Sequence, residues 1–207
     1  MSGVIAIIPA RFASTRFPGK PLASETGKPM IQHVCEAAAR AVDRVVVATD
    51  DQRIADAVTG FGGEAVMTSP EHPNGTSRLC EAAAVLGLDA QNVIVNVQGD
   101  EPEIEPDAVT AAARLVIDGA DIGTISCPIE PADLSDPNIV KVITDPEGRA
   151  IDFFRDVPPG THQEPSRHVG LYAYTFSFLQ RYIAMEPTDR ERSERLEQLR
   201  ALEHGAR

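Results

Sequence analysis

The stretch VIAIIPARFASTRFPGKPL, residues 4–22, joins a continuously apolar run to a basic loop, and it indicates both the fold and the position of a site. The aliphatic residues at 4–10 predict a strand that is covered on both faces, as in a parallel sheet. The loop that follows holds Arg11, Arg16 and Lys20. Open α/β sheets bind ligands beyond the carboxyl ends of their strands, and Arg and Lys donate charge-assisted hydrogen bonds to phosphate. The stretch therefore predicts a phosphate-binding loop, with a solvated basic loop as the alternative from charge alone.

The composition limits the class of protein. The chain has 207 residues, 43% of them hydrophobic, which suits one globular domain with a substantial core. Its formal net charge is -12, which argues against a general nucleic-acid-binding or membrane-surface role. We expect no signal peptide and no membrane span. Cys35, Cys80 and Cys127 are widely spaced, which favours buried thiols in a reducing cytoplasm over disulfides or a zinc site.

Apolar runs alternate with helical patterns through the first part of the chain. Further strands are expected at 44–50, 64–68 and 92–98, and helices after Lys28, at 51–60, at 76–86 and at 107–117. This alternation predicts a parallel sheet with right-handed crossovers.

The pattern changes after about residue 130. A strand is expected at 122–129, and the strands expected after it, at 140–144, 150–155 and 168–175, are not separated by long helices. A last helix is expected at 189–203. We predict one domain, 1–207, with a nucleotide-binding part at about 1–130 and a β-rich part at about 131–190 for substrate binding and dimerisation. The Pro-rich segment 156–168 is expected to form a surface loop or lid.

Two other stretches carry polar residues to the same sheet edge. The strand in NVIVNVQGDEPEIEP, residues 92–106, ends at Gln98, Gly99 and Asp100. Magnesium prefers one or two carboxylates together with phosphate oxygens, so Asp100 is a candidate metal ligand. The alternative is a turn in which the carboxylate caps the next helix.

The third stretch is HPNGTSRLCEAAA, residues 72–84. Gly75 and Thr76 come just before a predicted helix, where free backbone N–H groups can bind an anion. Arg78 in the first turn opposes the helix dipole, so we expect a ligand or a carboxylate to hold it. Thr76 as a plain N-cap residue is the alternative.

Together these stretches form a motif series that resembles the 3-deoxy-manno-octulosonate cytidylyltransferases. The series is VIAIIPARFASTRFPGKPL, VVVATDD, HPNGTSRL, VNVQGDEP, DPNIVKVITD, RHVGLYAY and RLEQLRAL, and it runs through nearly the whole chain. The resemblance implies a three-layer α/β/α, Rossmann-like nucleotide-diphospho-sugar transferase fold with a mostly parallel sheet and a small β-rich substrate-binding subregion. It also implies a cytoplasmic homodimer that uses Mg²⁺ to join CTP and 3-deoxy-D-manno-octulosonate (Kdo) into CMP-Kdo and pyrophosphate for lipopolysaccharide synthesis.

The resemblance also implies residue roles. Arg16, Lys20 and Asp100 are the expected catalytic residues, and Asp100 is the expected magnesium ligand. The positions that match CTP-binding residues are Ala10, Arg11, Arg16, Lys20, Gly75, Thr76, Arg78 and Gln98. The positions that match the Kdo pocket are Arg155, His168, Tyr172, Glu197 and Gln198. An arginine suits the carboxylate of this acidic sugar, and the other side chains suit its hydroxyls.

Two departures from the family pattern qualify the expectation. The family continues beyond the LEQLRAL helix into a VDTPEDLE-type segment whose first aspartate is a second metal ligand, and the sequence ends at Arg207, before that position. The loop DVPPGTHQEPSR also lacks the aromatic and basic character of the family lid. Other interpretations are a cytidylyltransferase for another acidic sugar, acylneuraminate or amino-Kdo, and a non-catalytic CTP-binding protein.

Overall fold

In the computed structural model of the chain, which describes residues 3–13 and 17–207, the apolar runs form a sheet of eight strands. The strands are β1 Val4–Ala10, β2 Arg44–Thr49, β3 Glu64–Met67, β4 Val93–Asn96, β5 Ile122–Cys127, β6 Lys141–Thr144, β7 Ala150–Phe154 and β8 Ser166–Thr175. The helices are α1 Met30–Ala38, α2 Gln52–Gly60, α3 Gly75–Val85, α4 Pro106–Ile117, α5 Phe176–Ala184, α6 Asp189–Glu194 and α7 Gln198–Glu203. Short 3-10 helices lie at Lys20–Leu22 and Pro131–Ser135.

The strand order is β3-β2-β1-β4-β8-β6-β7, with β5 on the other side of β8. The pairs among β1, β2, β3 and β4 are parallel, whereas every pair that involves β5 to β8 is antiparallel. The predicted three-layer fold is confirmed, but the sheet is mixed rather than mostly parallel. Helical crossovers keep the first four strands parallel. The helix α4 likewise carries the chain from β4 to β5, which runs in the same direction as β4, and β8 lies antiparallel between these two strands.

The two faces of β1 explain why this strand is apolar without alternation. Ala6 and Ile8 pack in one buried cluster with residues of α1, α2 and α4. Ile5 and Ile7 pack in a second cluster with residues of α3 and α5. A strand with helices on both faces needs apolar side chains in both directions, so the sheet is the middle layer of three.

The two strands on one side of β8 pair with different parts of it. β4 pairs with Tyr172–Thr175, and β6 pairs with Ser166 and Arg167. Residues 169–171 therefore lie between these partners without a strand pair on this side. The divergence of β4 and β6 opens the sheet beside the carboxyl end of β4.

The predicted helix at 189–203 is wrong as a single helix. It breaks at Arg195, whose φ of 56° is left-handed, and α7 starts at Gln198. Glu191 forms a two-nitrogen ion pair with Arg200, and both side chains are buried. Leu196 and Leu199 then pack against Phe153 of the antiparallel half. Packing of both segments therefore favours the bend over a continuous helix.

The sequence analysis did not predict α5. Thr175 ends β8 and caps α5 by accepting a hydrogen bond from the Phe178 N–H, so one residue serves both elements.

Two cysteines are buried thiols as expected, and burial raises the pKa of Cys35 to about 12, whereas Cys127 is exposed. No helix within the described residues is long and apolar enough to cross a bilayer.

Candidate active site

Pro9, near the end of β1, brings the three polar stretches together. A Cβ at Gly99 would lie 2.8 Å from the Pro9 carbonyl oxygen, and one at Gly75 would lie 3.2 Å from Pro9 Cγ. The segment after β4 and the start of α3 can approach the strand this closely because both positions are glycine. The opening loop, the Gly75 turn and the Gln98–Asp100 segment therefore lie side by side.

The opening loop meets the β4 segment through an ion pair. Lys20 Nζ donates to Asp100 Oδ2 at 2.8 Å, with both side chains partly exposed. Gly19, at φ 72°, donates its N–H to the Phe12 carbonyl at 2.9 Å and fixes the turn before Lys20. An ammonium and a carboxylate thus stand together at the sheet edge, as expected for a site that binds phosphate and a cation.

Of the other residues predicted for the opening loop, the structure describes Ala10 and Arg11 but not Arg16. Ala10 is buried at the end of β1, and Arg11 is exposed at the start of the loop. Arg16 lies outside the described residues. The predicted triphosphate contact of Arg11 is compatible with its exposure.

Asp100 fits a magnesium ion that arrives with a nucleotide. Within residues 3–13 and 17–207, no group of three or more His, Cys, Asp and Glu side chains is arranged to hold a metal. One accessible carboxylate beside a phosphate loop is nevertheless the donor set that Mg²⁺ uses together with phosphate oxygens.

A cavity of about 550 Å³ lies beside this junction, where β4 and β6 diverge along β8. All five residues predicted for the Kdo pocket line it, and so do Gly75, Thr76 and Gln98 from the predicted CTP set. Ala10, Arg11, Lys20, Arg78 and Asp100 are not among its lining residues. The cavity therefore joins the predicted acceptor residues to the nucleoside side of the predicted CTP site.

His168 and Tyr172 form one wall on β8. The Nε2 atom of His168 lies 2.8 Å from the Thr124 hydroxyl, and Phe153 packs edge-on against the imidazole with ring centroids 5.0 Å apart. Burial lowers the pKa of His168 to about 4, so the ring is neutral at physiological pH. Burial raises the pKa of Tyr172, which keeps its hydroxyl protonated. This wall offers neutral hydrogen-bonding groups.

Glu197 connects the cavity to the start of α3. The Thr76 hydroxyl donates to Glu197 Oε2 at 3.1 Å, and the Tyr182 hydroxyl donates to the Glu197 carbonyl at 2.7 Å. Burial raises the pKa of Glu197, although the hydrogen bond from Thr76 opposes this shift. The residue predicted for Kdo and the one predicted for CTP are therefore in direct contact.

Arg78 is completely buried on α3. Its guanidinium donates to Asp50 Oδ2 at 2.6 Å and to the Thr68 hydroxyl at 2.5 Å. The sequence led us to expect either a ligand or a carboxylate beside Arg78, and the structure shows the carboxylate of Asp50. The N-cap residue of α3 is Asn74, which accepts from the Ser77 N–H, so the interpretation of Thr76 as the cap is wrong. Arg78 anchors the first turn of α3 to the ends of β2 and β3.

Arg155 and Lys141 hold the β6–β7 side of the cavity by hydrogen bonds to backbone carbonyls. Arg155 donates to Glu194 at 2.8 Å, Pro137 at 3.0 Å and Arg195 at 3.4 Å. Lys141 is fully buried and donates to Asp136 at 2.6 Å and to the Arg155 carbonyl at 2.7 Å. Through these hydrogen bonds, the two cations connect the loop before β6 to the bend between α6 and α7.

Two amide side chains complete the cavity. Gln98 Nε2 donates to the Gly170 carbonyl at 3.3 Å, across the gap between β4 and β6. Gln198 is buried, and its Nε2 has no hydrogen-bond partner among the residues that the structure describes. Because an unpaired buried donor is costly, Gln198 indicates a place for a ligand oxygen.

Several residues of the cavity wall were not predicted from the sequence: Asn96, Asn138, Arg167, Tyr174, Tyr182 and Arg195. Asn96 could have been recognised as the polar residue within an apolar strand, and Tyr174 follows Tyr172 at strand spacing. Arg195 carries no comparable signal because its position depends on the unpredicted break before α7.

Comparisons with known proteins agree with this arrangement. The profile of the cytidylyltransferase family matches residues 5–207. The 3-deoxy-manno-octulosonate cytidylyltransferase of Geobacter sulfurreducens is 50% identical over 224 residues, covering 99% of this chain and 88% of that protein. The corresponding enzyme of Syntrophobacter fumaroxidans is 48% identical over 213 residues, covering 98% and 85%.

Solved structures extend the comparison. The structure of CMP:2-keto-3-deoxy-manno-octonic acid synthetase complexed with CTP matches with a TM-score of 0.90 and 38% identity, covering 98% of this chain and 86% of that one. A 4-diphosphocytidyl-2C-methyl-D-erythritol synthase, at 16% identity and a TM-score of 0.65, shares the fold. With the family profile, two relatives near half identity and this structural match in agreement, the chain belongs to the 3-deoxy-manno-octulosonate cytidylyltransferase family.

Proposed function

We propose that this protein transfers CMP from CTP to the anomeric hydroxyl of Kdo, giving CMP-Kdo and pyrophosphate. The observation that carries the proposal is the shared cavity. Its walls hold all five residues expected for Kdo together with Gly75, Thr76 and Gln98, next to the Lys20–Asp100 pair. One cavity of about 550 Å³ can therefore bring an acidic sugar to a nucleotide bound at the strand ends.

The nucleotide half of the site is proposed as follows. Lys20 and Arg11, with Arg16 of the same loop, bind the triphosphate of CTP through charge-assisted hydrogen bonds. Gly75 and Thr76 offer the N-terminus of α3 to the nucleotide, and Ala10 offers its backbone. Gln98 contacts the nucleotide from the β4 side.

Arg78 also belongs to the nucleotide half of the site, but it acts indirectly, through the residues that it positions. Because its guanidinium is buried against Asp50 and Thr68, its contribution is to hold Gly75 and Thr76 in place.

Catalysis in this proposal depends on positioning and on charge. The anomeric oxygen attacks the α-phosphorus in line, the bond from that phosphorus to the bridging oxygen breaks, and pyrophosphate leaves. Lys20 and Arg16 stabilise the negative charge that develops on the leaving group. Asp100 holds the magnesium ion, which when bound neutralises phosphate charge and orients the reactants.

The acceptor half binds Kdo by its hydroxyls and its carboxylate. His168 and Tyr172 are neutral and can donate or accept, Glu197 can accept, and the unpaired amide N–H of Gln198 needs an acceptor. Arg155 lines the same cavity. The mixture suits a polyhydroxylated acid better than an apolar acceptor.

The decisive experiment is pyrophosphate release from CTP and Mg²⁺ with and without Kdo. We expect release that depends on Kdo and yields CMP-Kdo. N-acetylneuraminate and amino-Kdo serve as competing acceptors, and preferred turnover of either one identifies the alternative sugar specificity. Release that is unchanged by every acceptor, with CTP binding seen by calorimetry, contradicts the proposal and identifies a CTP-binding protein without transferase activity.

Two further features complete the proposal. We infer that the reaction takes place in the cytoplasm, where CTP is available to it. We also infer that the protein is a homodimer that associates through its antiparallel half, since β7 is an edge strand with Ile151 exposed.

A further inference from the structure

An aromatic ring at the start of the opening loop carries a cation on its face. The guanidinium carbon of Arg53, on α2, lies 3.3 Å from the centre of the Phe12 ring. Phe12 comes directly after Arg11, which we propose to bind the triphosphate. The quadrupole of an aromatic ring attracts a guanidinium placed over its face, and the planar group of Arg can stack there. This contact joins α2 to the opening loop.

Asp51 holds the edge of the same guanidinium. Its Oδ1 accepts from Arg53 Nε at 2.9 Å, and its Oδ2 accepts from Arg53 Nη2 at 2.6 Å. The carboxylate also caps α2 by accepting from the Arg53 N–H at 3.0 Å. The guanidinium N–H groups point outward in its plane, so these hydrogen bonds leave its face for the ring. Arg53 is therefore held in one orientation although 61% of its side chain is exposed.

The Phe12 ring also packs against Gly19. A Cβ at Gly19 would lie 3.1 Å from two carbons of this ring, and the Gly19 N–H donates to the Phe12 carbonyl at 2.9 Å. Gly19 immediately precedes Lys20 and is the N-cap of the 3-10 helix that begins there. The Phe12–Gly19 contact thus joins two points of the opening loop. Arg11 lies just before the first point, and Lys20 lies just after the second.

Two adjacent aspartates after β2 connect to both proposed nucleotide-binding stretches. Asp50 accepts from Arg78 and so reaches the start of α3. Asp51 reaches the opening loop through Arg53 and Phe12. The motif VVVATDD contributed no residue to the predicted site, and these contacts give its last two residues separate tasks.

We propose that Arg53 is a positioning residue for the opening loop, which it holds through Phe12 in the conformation that binds the triphosphate. This inference rests on the proposed binding of CTP by that loop. A loop that is ordered before binding loses less conformational entropy when the ligand arrives, so the contact should strengthen binding. Its effect falls on the β- and γ-phosphates of CTP, because the loop carries the cations proposed to bind them.

The first test is the variant R53Q, with Kd measured by calorimetry for CTP and for CMP in the presence of Mg²⁺. We expect the Kd for CTP to rise at least fivefold and the Kd for CMP to change less than twofold. The urea unfolding midpoint should stay close to that of wild type, because an exposed ion pair contributes little to stability. A smaller loss of CTP affinity, or an equal loss for CMP, overturns the proposal.

The matched control is R44Q, at the opposite end of β2. Arg44 also donates two nitrogens to one carboxylate, that of Glu64, at 3.0 and 2.7 Å, and both side chains are exposed. We expect R44Q to bind CTP and CMP as wild type does. A fivefold loss of CTP affinity in R44Q as well would show that the effect of R53Q is not local to the opening loop, and it would overturn the proposal.

The variant D51N separates positioning from direct contact between Arg53 and phosphate. Asn caps a helix about as well as Asp, so D51N keeps the cap of α2 and removes the charge that holds the guanidinium. If Arg53 positions the loop, the Kd for CTP should rise at least threefold. If Arg53 binds phosphate itself, loss of the competing carboxylate should leave CTP binding unchanged or make it tighter, which overturns the proposal.

A double variant tests whether Phe12 transmits the effect. F12L keeps an apolar side chain and removes the ring, and it should itself raise the Kd for CTP. Adding R53Q to F12L should then raise that Kd less than twofold further, whereas a full fivefold increase overturns the route through Phe12. The unfolding midpoint checks the fold of F12L, and D51N tests positioning independently of it. A wild-type protein that does not bind CTP contradicts the proposed function itself, which is a separate result.

Discussion

At the scale of single residues, the Lys20–Asp100 pair connects two loops that are far apart in sequence. The sequence placed a cation and a carboxylate at the ends of neighbouring strands, and the structure shows them 2.8 Å apart. Each charge partly neutralises the other. In the proposed reaction, a nucleotide with its metal would take over both partners.

Replacing Asp100 by Asn tests this arrangement. The amide removes the charge that would hold magnesium, so we expect Mg²⁺-dependent CMP transfer to fall at least a hundredfold while the fold is retained. The measurement is pyrophosphate release across a magnesium titration, with the unfolding midpoint as the check on the fold. Asp56→Asn, on the exposed face of α2, is the control, and normal activity of Asp100→Asn contradicts the metal role.

His168 should make stability depend on pH. Its pKa is lowered from 6.5 to about 4 by burial, so the unfolded chain binds a proton between these values and the native chain does not. The free energy of unfolding should therefore fall as the pH drops below 6.5, with about 2 kcal/mol lost to this residue by pH 5. Urea unfolding of wild type and His168→Gln at pH 7 and pH 5 measures the difference. An equal pH dependence in both proteins would contradict the assignment.

Replacing Glu197 should preserve or raise the stability of the protein at high pH while it lowers activity toward Kdo. Because burial raises its pKa, the charged form lowers the stability of the native state once the pH exceeds the native pKa. Glu197→Gln should thus be at least as stable as wild type at pH 8, with no gain left near pH 4, yet its kcat/KM for Kdo should fall at least tenfold. Urea titrations at both pH values and acceptor kinetics test the pair of effects. A less stable variant at pH 8 argues against the burial penalty.

At this scale, the sequence predicts which residues lie together where a residue follows a strand or belongs to a motif. Lys20, Asp100 and the five residues predicted for the Kdo pocket were chosen in this way, and the structure places them around one junction and one cavity, while their roles stay predictions. The neighbours that decide how a side chain acts were not predictable. Nothing local indicates that Asp50 and Thr68 occupy Arg78, or that three carbonyls occupy Arg155.

At the scale of elements, two glycines set how closely the loops approach β1. Gly99 and Gly75 both face Pro9, and the contact at Gly99 is with a backbone oxygen, which a side-chain rotation cannot relieve. The strand ends and the start of α3 are thereby held close together.

Gly99→Ala should disturb this contact. The new Cβ would lie 2.8 Å from the Pro9 carbonyl oxygen, so we expect a loss of about 1–3 kcal/mol in unfolding free energy and at least a tenfold higher KM for CTP. Gly60→Ala is the control, because Gly60 ends α2 with open space around it. Urea unfolding and steady-state kinetics measure both effects. Equal behaviour of the two variants would show that the close approach has no consequence.

Element prediction was good for the strands and poor for the C-terminal helices. Buried strands show continuous aliphatic runs, so their positions could be read directly from the sequence. The break at Arg195 has no glycine or proline to announce it, and it results from packing of Leu196 and from carbonyl bonds to Arg155. Such tertiary contacts override local propensity.

At the scale of the whole molecule, the change from parallel to antiparallel pairing separates the sheet into two halves, for which we propose different binding roles. The parallel half ends in the loops that we propose to bind phosphate, and the antiparallel half carries most of the proposed acceptor wall. The cavity lies where β4 and β6 separate along β8. The sequence showed the change of pattern near residue 130, but strand direction depends on pairing that the sequence does not display.

The antiparallel half should also hold the dimer contact. Ile151 lies on the edge strand β7 with 46% of its surface exposed. Ile151→Glu should shift the mass measured by light scattering from dimer to monomer, because a charge in an apolar contact is unfavourable. Ile183→Glu, at an exposed position on α5, is the control that should leave the mass unchanged. A wild-type monomer, or a dimer that survives Ile151→Glu, contradicts this placement.

The complete burial of Lys141 gives the chain a chemical reporter. Its lysines are Lys20 at the candidate nucleotide site, Lys28 on the exposed surface and Lys141 inside the antiparallel half. A brief pulse of an amine-acylating reagent should modify Lys28 in every state and Lys20 only until CTP covers it. Lys141 should react only when the β6–β7 region opens. The labelling pattern of one digest would then report substrate binding and local unfolding in the same sample.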